Sequence, residues 1–450
     1  MSLIENASGY AAAFQAADIT SDAMRNAIAE WFDLYYGENK TEDSDPSQRI
    51  PYTIVRKLTN AVFSEYEVTT KDKYAEQVVR SFGHLAGTAM QTALIGGECK
   101  LKPIPTPKGF RFVAIPRNNM LVFARDPEGN AIDIGTAEKS SAGNRYYTLL
   151  ERRTVDANGY LTIKNALYES YTKDNLGQEK PLRTLPQYAE LPEVYTFQKP
   201  VGSVGLITLR TPMVNCVDGT ADAVSVYAAA TGLIRNIDRN EAQINGEFDR
   251  GASRVFVSAD LLQKDAHGKP VLKDHIFTGL DDDPETVGVT IFNPTLREAS
   301  FLARKQEYLR NVENVIGLKR GLLSEVEAAE RTATEITSSA GEYNLTIIDF
   351  QKMWESTVKE ALRVCSILGD LYKVPGAHEI PEDAVAISWG NGVLYDEAKT
   401  YAELKELVAA GLLQPERFVG WYHNLPCDTP DQRAYIRKNY MPEALEEGAE

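Results

Sequence analysis

The sequence lacks the long apolar run that a membrane-spanning helix needs. A bilayer core requires about 20 consecutive apolar residues. The longest apolar stretch here, near residues 223–234, is interrupted by Ser225, Thr231 and Gly232. The first six residues also lack the basic region and apolar core of a secretory signal. We therefore expect a cytosolic protein with no membrane partner.

Cysteine and histidine are both scarce. The four cysteines, Cys99, Cys216, Cys365 and Cys427, lie far apart and form no CxxC pair. This spacing predicts isolated, reduced and mostly buried thiols. The five histidines are scattered along the chain, which favours surface or polar-core roles over metal ligation.

Basic residues are outnumbered, with 48 Lys and Arg against 64 Asp and Glu and a net charge of −16. This balance argues against a protein that grips DNA through a basic face. It is compatible with one that lets DNA pass, because an acidic wall repels phosphates over about 8–10 Å at physiological salt. Solubility explains the acidity equally well.

The common catalytic signatures are missing as well. The chain contains no GxxxxGK[ST], GxSxG or HExxH pattern. The acidic run Asp281-Asp282-Asp283 could offer oxygens to a divalent cation. It lacks the glycine and terminal glutamate of an EF-hand loop, so we predict a solvated turn. We expect no enzymatic activity, no cofactor and no bound metal.

The patterns that are present predict an α+β protein of about two to four domains. Helical periodicity covers residues 22–36, 52–65, 73–95, 218–248, 294–315, 332–372, 396–411, 415–423 and 430–440. Alternating strand patterns cover residues 110–115, 145–152, 160–171, 254–257, 287–292 and 385–389. Gly- and Asn-containing turns at residues 126–130 and 156–159 predict antiparallel pairing of the strands around them.

The stretch 314–342 contains a loop of both charge signs, which lies between two long helical patterns. Its cations are Lys319, Arg320 and Arg331, and its acidic residues include Glu325, Glu327 and Glu330. Such a loop looks mobile and is typical of a moving part in an assembly. A few cations beside several carboxylates can touch a nucleic-acid backbone without arresting it. An ordinary surface loop, charged only for solubility, is the alternative.

Four blocks of the sequence, taken in order and spacing, resemble a known family. They are residues 29–37 (Ala-Glu-Trp-Phe-Asp-Leu-Tyr-Tyr-Gly), 93–97 (Ala-Leu-Ile-Gly-Gly), 291–297 (Ile-Phe-Asn-Pro-Thr-Leu-Arg), and Gly317-Leu318 followed by 331–336 (Arg-Thr-Ala-Thr-Glu-Ile). They are similar to the portal proteins of tailed bacteriophages, in the siphophage form common among phages of Gram-positive hosts. This chain has Arg331 where the family usually has lysine, and Lys319 where it usually has serine.

The resemblance implies a mainly helical, multi-domain portal fold with antiparallel strands in the wing and short strands in the clip. The implied parts are a wing (1–215, completed near 345–392), a stem helix (218–248), a clip (251–293), a returning stem helix (294–315), a tunnel loop (316–331), a long helix with the wing return (332–392) and a crown (393–450). Members of the family form closed rings, twelve-fold in the mature form, at one capsid vertex.

The same resemblance implies a conduit for packaging and ejecting double-stranded DNA. The tunnel-loop residues facing DNA would be Lys319, Arg320, Glu325, Glu327, Glu330 and Arg331. The clip residues docking partners would be Asp281, Asp282, Asp283, Lys264 and Lys269. The implied partners are the terminase large subunit, the head–tail adaptor, and the major capsid and scaffolding proteins, with the ring in the virion. Another minor head or connector protein is the alternative reading, and the packaging ATPase is a weaker one.

Overall fold

The chain forms two compact units, Met1–Ser388 and Trp389–Glu450. A computed structural model describes residues 2–37, 46–250, 254–257, 263–264, 267, 270–271, 289–292, 297–325, 333–381, 383–389, 397–423 and 425–441. The sheets of these residues all lie in the first unit and pair their strands antiparallel. The predicted mixture of helices and antiparallel strands is therefore confirmed.

The helices of the first unit are α1 (Ala7–Phe14), α2 (Asp22–Tyr36), α3 (Ile50–Val62), α4 (Lys73–Gly83), α5 (Ala86–Gly96), α6 (Thr231–Arg250), α7 (Glu298–Ile316) and α8 (Ala333–Leu371). Those of the second unit are α9 (Glu397–Ala409), α10 (Pro415–Tyr422) and α11 (Pro430–Tyr440). Local sequence explains where α2 begins and ends. The Ser21 hydroxyl accepts a hydrogen bond from the Met24 amide, and Gly37 ends the helix in the left-handed conformation.

The strands are β1 (Glu67–Thr70), β2 (Glu98–Thr106), β3 (Gly109–Pro116), β4 (Met120–Arg125), β5 (Ala131–Ala142), β6 (Arg145–Val155), β7 (Leu161–Ser170), β8 (Gln178–Lys180), β9 (Val194–Thr196), β10 (Ile207–Arg210), β11 (Arg254–Val257), β12 (Gln263–Lys264), β13 (Pro270–Val271), β14 (Val289–Phe292) and β15 (Val385–Ser388). The main sheet has the order β4-β5-β6-β7-β8, with β9 also on β7. A smaller sheet has the order β10-β2-β3, and β1-β15, β11-β14 and β12-β13 form pairs.

The N-terminal segment, which the sequence pattern did not predict as helical, covers the main sheet. Tyr10 and Phe14 of α1 pack in one cluster with Leu121 and Phe123 of β4. Gly135 on β5 makes this close packing possible, because a Cβ there would lie 2.8 Å from the Phe14 and Phe123 rings. The first helix therefore belongs to the core of the sheet.

An aromatic cluster fixes the long helix α8 against the smaller helices. Trp354 is fully buried, and its ring centroid lies 5.0 Å from those of Phe63 and Phe82. Beyond α8 the chain returns to pair β15 with β1, where the Thr70 hydroxyl donates to the Ala384 carbonyl at 2.6 Å. The last strand of the first unit, β15, is thus joined to its first strand, β1.

The helix predicted over residues 218–248 begins only at Thr231, and that part of the prediction was wrong. Residues before it hydrogen-bond to other elements: the Val226 amide donates to Leu94 of α5, and the Tyr227 hydroxyl donates to the Trp31 carbonyl of α2. Those tertiary contacts override helical periodicity.

The helix predicted over residues 73–95 also differs, because it is divided into α4 and α5 around His84 and Leu85. The two parts pack against different neighbours. Phe82 of α4 contacts Trp354 and Phe112, whereas α5 packs on α2, α3 and β2.

A buried charge cluster joins distant segments of the first unit. The Asp222 carboxylate lies 3.2 Å from Nη2 of Arg117 and 2.7 Å from Nη2 of Arg125. Arg117 is fully buried and also donates to the Thr20 hydroxyl and the Met120 carbonyl. Asp222 therefore ties the chain entering α6 to the main sheet and to the N-terminal segment.

Two further buried carboxylates lie in β2 and β6. Burial would raise the pKa of Glu98, but Lys100, at 2.7 Å, and the nearby Arg117 hold it at about 2. Burial would likewise raise the pKa of Glu151, but its neighbours Arg153 and Lys102 lower it to about 2. These two strands therefore contain buried charge pairs of the core.

Replacing Asp222 with asparagine should destabilise the protein strongly. The change leaves the buried Arg117 and Arg125 guanidinium groups without their carboxylate, a loss that costs about 3–5 kcal/mol in typical buried pairs. Urea unfolding followed by circular dichroism measures it. Asp22→Asn is the control, because its exposed carboxylate pairs with Arg25 at the surface, where such pairs contribute about 0–1 kcal/mol. Equal losses in the two variants would contradict the assignment.

A charged hydrogen-bond pair closes the first unit near β1 and β15. His378 Nε2 lies 2.6 Å from the Asp72 carboxylate, and Nδ1 lies 2.9 Å from the Gly376 carbonyl. Both partners accept hydrogen bonds, and an imidazole that donates from both ring nitrogens is the protonated form, so this geometry favours protonation of His378. The hydrogen bond to Asp72 accordingly raises the pKa of His378.

The contribution of His378 to stability should fall as the pH rises. Its folded-state pKa is raised above the ordinary 6.5, so the contribution is complete below that pH and is lost as the pH rises through the folded value. Thermal unfolding should show a larger gap between the wild type and His378→Asn at about pH 5.5 than at about pH 9. His84→Asn, at an exposed histidine, serves as control. A gap that grows towards pH 9 would exclude the charged pair.

Candidate functional site

The helices α6 and α7 form an antiparallel pair that is held by ion pairs along its length. Arg297 donates two hydrogen bonds to the Glu247 carboxylate, at 3.0 and 2.9 Å. Further along, Lys305 Nζ lies 2.8 Å from Glu241 Oε2. Residue numbers fall on one helix as they rise on the other, which establishes the antiparallel register. The α6 helix has 20 residues, which corresponds to about 30 Å.

Apolar side chains fill the interior of this helix pair. Buried residues recur at three- and four-residue steps on both helices, as one apolar stripe requires. They are Ile234, Ile237 and Ile244 on α6, and Leu309, Val312 and Ile316 on α7. The helix pair also exposes large apolar side chains, since Phe248, Leu302 and Val315 are 46%, 44% and 49% exposed.

A two-stranded ribbon continues the helix pair. Strand β11 follows α6, strand β14 precedes α7, and the two pair antiparallel from Arg254 opposite Phe292 to Val257 opposite Val289. Both strands were predicted, and both are confirmed. Helix pair and ribbon follow one another along the chain, and we name them together the stem hairpin (α6, β11, β14 and α7).

The loop after α7 is organised by backbone capping and by one buried carboxylate. Gly317 ends the helix in the left-handed conformation, and the Leu318 amide donates to the Glu313 carbonyl at 2.8 Å. The side chain of Glu313 then turns towards the loop and accepts hydrogen bonds from residues 321–324. Residues 317–325 therefore form a hydrogen-bonded turn, and the expected mobility of the loop stays a prediction.

The predicted DNA-facing residues divide between described and undescribed parts of the loop. Lys319 and Arg320 are neighbours on the exposed turn, and Glu325 is exposed at the end of the described segment. Glu327, Glu330 and Arg331 lie outside the described residues. The structure thus brings together two of the predicted cations, and their role stays a prediction.

The predicted partner-docking residues fall mostly outside the described part of the chain. Asp281, Asp282, Asp283 and Lys269 are among the undescribed residues. The backbone of Lys264 lies in β12, opposite Pro270 of β13. Their docking role also stays a prediction.

Three residues that organise the loop were missed by sequence reasoning. They are Glu313, Gln306 and Lys57. A signal existed for Glu313, because it occupies the buried stripe of α7 four residues after Leu309 and three before Ile316. A charged residue in an apolar stripe requires a buried partner. Nothing comparable marks Lys57, whose partner is 265 residues away.

A groove of about 1080 Å³ runs beside the last turns of α8. Its charged lining includes Lys359, Glu360, Arg363 and Glu379. The Glu360 carboxylate accepts a hydrogen bond from the Thr208 amide at 2.8 Å, and burial raises its pKa. Both charge signs alternate along the groove, so it shows no preference for an anion or a cation.

Among the residues that the structure describes, no three His, Cys, Asp or Glu side chains are grouped as a metal site. No described helix combines the length and apolar character that crossing a bilayer requires. The cysteines are isolated as predicted, with Cys99 and Cys365 buried, Cys427 half-buried and Cys216 exposed.

Comparison with known proteins gives a likeness to solved structures. No family model matches the sequence, and no curated protein matches it. Among solved structures, the chain is similar to one titled "Neck of native GTA particle computed with C12 symmetry", at 11% identity and a TM-score of 0.45. The match covers 93% of this chain and 99% of that one. A likeness of this size does not establish a shared function.

Proposed function

We propose that this chain is a phage portal protein: a non-enzymatic ring at a capsid vertex through which double-stranded DNA is packaged and ejected. The observation that carries the proposal is the stem hairpin with its adjoining loop. The loop presents Lys319 and Arg320 beside the C-terminal end of α7. This arrangement agrees with the order of parts that the sequence resemblance implies.

The stem hairpin has the properties that a ring-forming element needs. A ring repeats one heterologous interface until it closes, which favours elongated elements with apolar and charged outer faces. Phe248, Leu302 and Val315 expose apolar surface on the hairpin, among exposed charges such as Arg239 and Glu307. Packing hairpins side by side would bury these side chains between copies.

The charge distribution suits a conduit better than a DNA clamp. The chain has a net charge of −16, so most of its surface repels phosphates. Lys319 and Arg320 are exposed cations that can touch a backbone non-specifically. A contact of few cations is weak and sensitive to salt, which allows DNA to slide.

The remaining assignments belong to the same proposal. The ribbon of the stem hairpin and residues 251–293 would meet the terminase large subunit during packaging and the head–tail adaptor afterwards. Major capsid and scaffolding proteins would surround the ring in the virion, and residues 393–450 would form the crown. Another minor head or connector protein would share the structural role but lack the DNA conduit.

The first test is the oligomeric state. The purified protein should form rings of about twelve copies, visible in negative-stain images with a central opening and measurable by mass photometry. Replacing Leu302 and Val315 with aspartate should reduce the ring fraction, because charge would enter the apolar contacts between hairpins. Ala299→Asp, at another exposed position of α7, is the control. A monomer under all conditions would count decisively against the portal function.

The second test reverses the two loop cations. The double variant Lys319→Glu, Arg320→Glu should keep the ring but weaken its binding to a short DNA duplex by roughly tenfold at low salt, because every copy replaces two attractive contacts with two repulsive ones. Fluorescence anisotropy measures the affinity. Lys71→Glu, Arg80→Glu makes the same charge change at exposed residues outside the loop. An equal loss in both variants would show that only net charge matters, and the loop would then have no role at the DNA.

A further inference from the structure

The carboxylate of Glu313 is buried completely and is satisfied by the loop that follows its helix. Its Oε1 accepts hydrogen bonds from the amides of Leu323, at 2.5 Å, and Ser324, at 3.0 Å. Its Oε2 accepts from the Ser324 hydroxyl at 2.7 Å and from the Gly321 amide at 3.3 Å. Both oxygens of one side chain therefore bind the returning half of the turn.

Three further side chains, on α3, α7 and α8, also hydrogen-bond to this turn. Lys57 Nζ on α3 donates to the Leu322 carbonyl at 2.7 Å. The Glu325 amide donates to Gln306 Oε1 on α7 at 2.8 Å. The Thr346 hydroxyl on α8 donates to the Gly317 carbonyl at 3.3 Å. The turn is consequently fixed at both ends and in its middle.

We propose that Glu313 is the positioning residue of the candidate DNA contact. It holds Lys319 and Arg320, which we name the cationic step, in one place. The claim about DNA rests on the proposed function, whereas the claim about position does not. The residues between the capping glycine and Ser324 move with α7 as one body. Lys319 and Arg320 are then presented at a constant place relative to the stem hairpin.

The physical reason is the set of hydrogen bonds that one carboxylate receives. Hydrogen bonds to a charged acceptor are stronger than neutral ones, and Glu313 receives four from a single short turn. Departure of the turn would break all four at once, which is strongly unfavourable. Independent movement of this turn is therefore opposed by the charge beneath it.

Spin labelling tests the inference in the full-length protein. A nitroxide is attached at Lys319→Cys in a background with Cys216→Ser and Cys427→Ser, which removes the thiols that are not buried. The parent should give the spectrum of an immobilised nitroxide. Glu313→Gln should add the signal of a rapidly moving nitroxide, because the glutamine NH₂ group would place N–H donors against the donors of the turn. Glu307→Gln removes one charge from an exposed position of the same helix and should leave the spectrum unchanged. A fast parent spectrum, or no effect of Glu313→Gln, overturns the proposal.

Hydrogen exchange provides a second measurement that needs no variant. The amides of Leu323 and Ser324 should exchange at least about tenfold more slowly than in an unstructured peptide, because they are bonded to a buried carboxylate. Residue-resolved mass spectrometry measures this in the unmodified protein, so misfolding of a variant cannot obscure the result. Unprotected amides at both positions would refute the fixed turn.

The two levels of the proposal are separable. Neither measurement contains DNA, so each can support or refute the fixed turn whatever the ring does. Duplex binding by Glu313→Gln rings then tests the functional part, with Glu307→Gln rings as control. Weaker binding only in Glu313→Gln supports a positioned contact. Unchanged binding would mean that the fixed position of the step contributes nothing to DNA contact.

Discussion

Asp222 joins three parts of the chain that are far apart in sequence. Its carboxylate pairs with Arg117 and Arg125, and Arg117 in turn holds Thr20. A buried charge must be paired or it destabilises the fold, so these segments cannot shift independently. The main sheet, the N-terminal segment and the chain entering α6 therefore share one constraint, which sets where the stem hairpin leaves the body of the protein.

The same principle recurs where the second helix of the hairpin ends. Glu313 is buried beneath the loop after α7 and bonds to it through both oxygens. One buried carboxylate thus lies just before α6 and another near the end of α7, and because the helices are antiparallel both lie at the same end of the pair. Away from that end the hairpin is held by apolar packing and by surface ion pairs such as Arg297 with Glu247. The buried charges fix this end, and the apolar stripe supplies most of the cohesion of the helix pair.

Periodicity and local capping predicted the elements whose own residues determine their ends. Residues 22–36 form a helix because Ser21 begins it and Gly37 ends it, and residues 430–440 form one because Thr429 and Gln432 make a capping box. The delayed start of α6 could not be predicted in this way, because its cause is Tyr227 bonding to Trp31, almost 200 positions away.

The residues of the candidate site divide in the same way, into those that the local sequence indicates and those whose partners are distant or lie in the backbone. Charge and position in the loop indicated Lys319 and Arg320, whose exposure the structure supports. The residues that fix the loop were not indicated, since Lys57 acts across 265 positions. Glu313 was visible in principle as a charge within an apolar stripe. Its partners are backbone amides, which no side-chain pattern reveals.

The pairing of β1 with β15 has a consequence for biosynthesis. Glu67 lies opposite Ser388, so the first residue of β1 meets its partner only after more than 300 further residues have been added. Contacts of such separation form late, since closing a long loop costs entropy before any bond repays it. The pairing of β1 therefore cannot be completed until residue 388 has been synthesised.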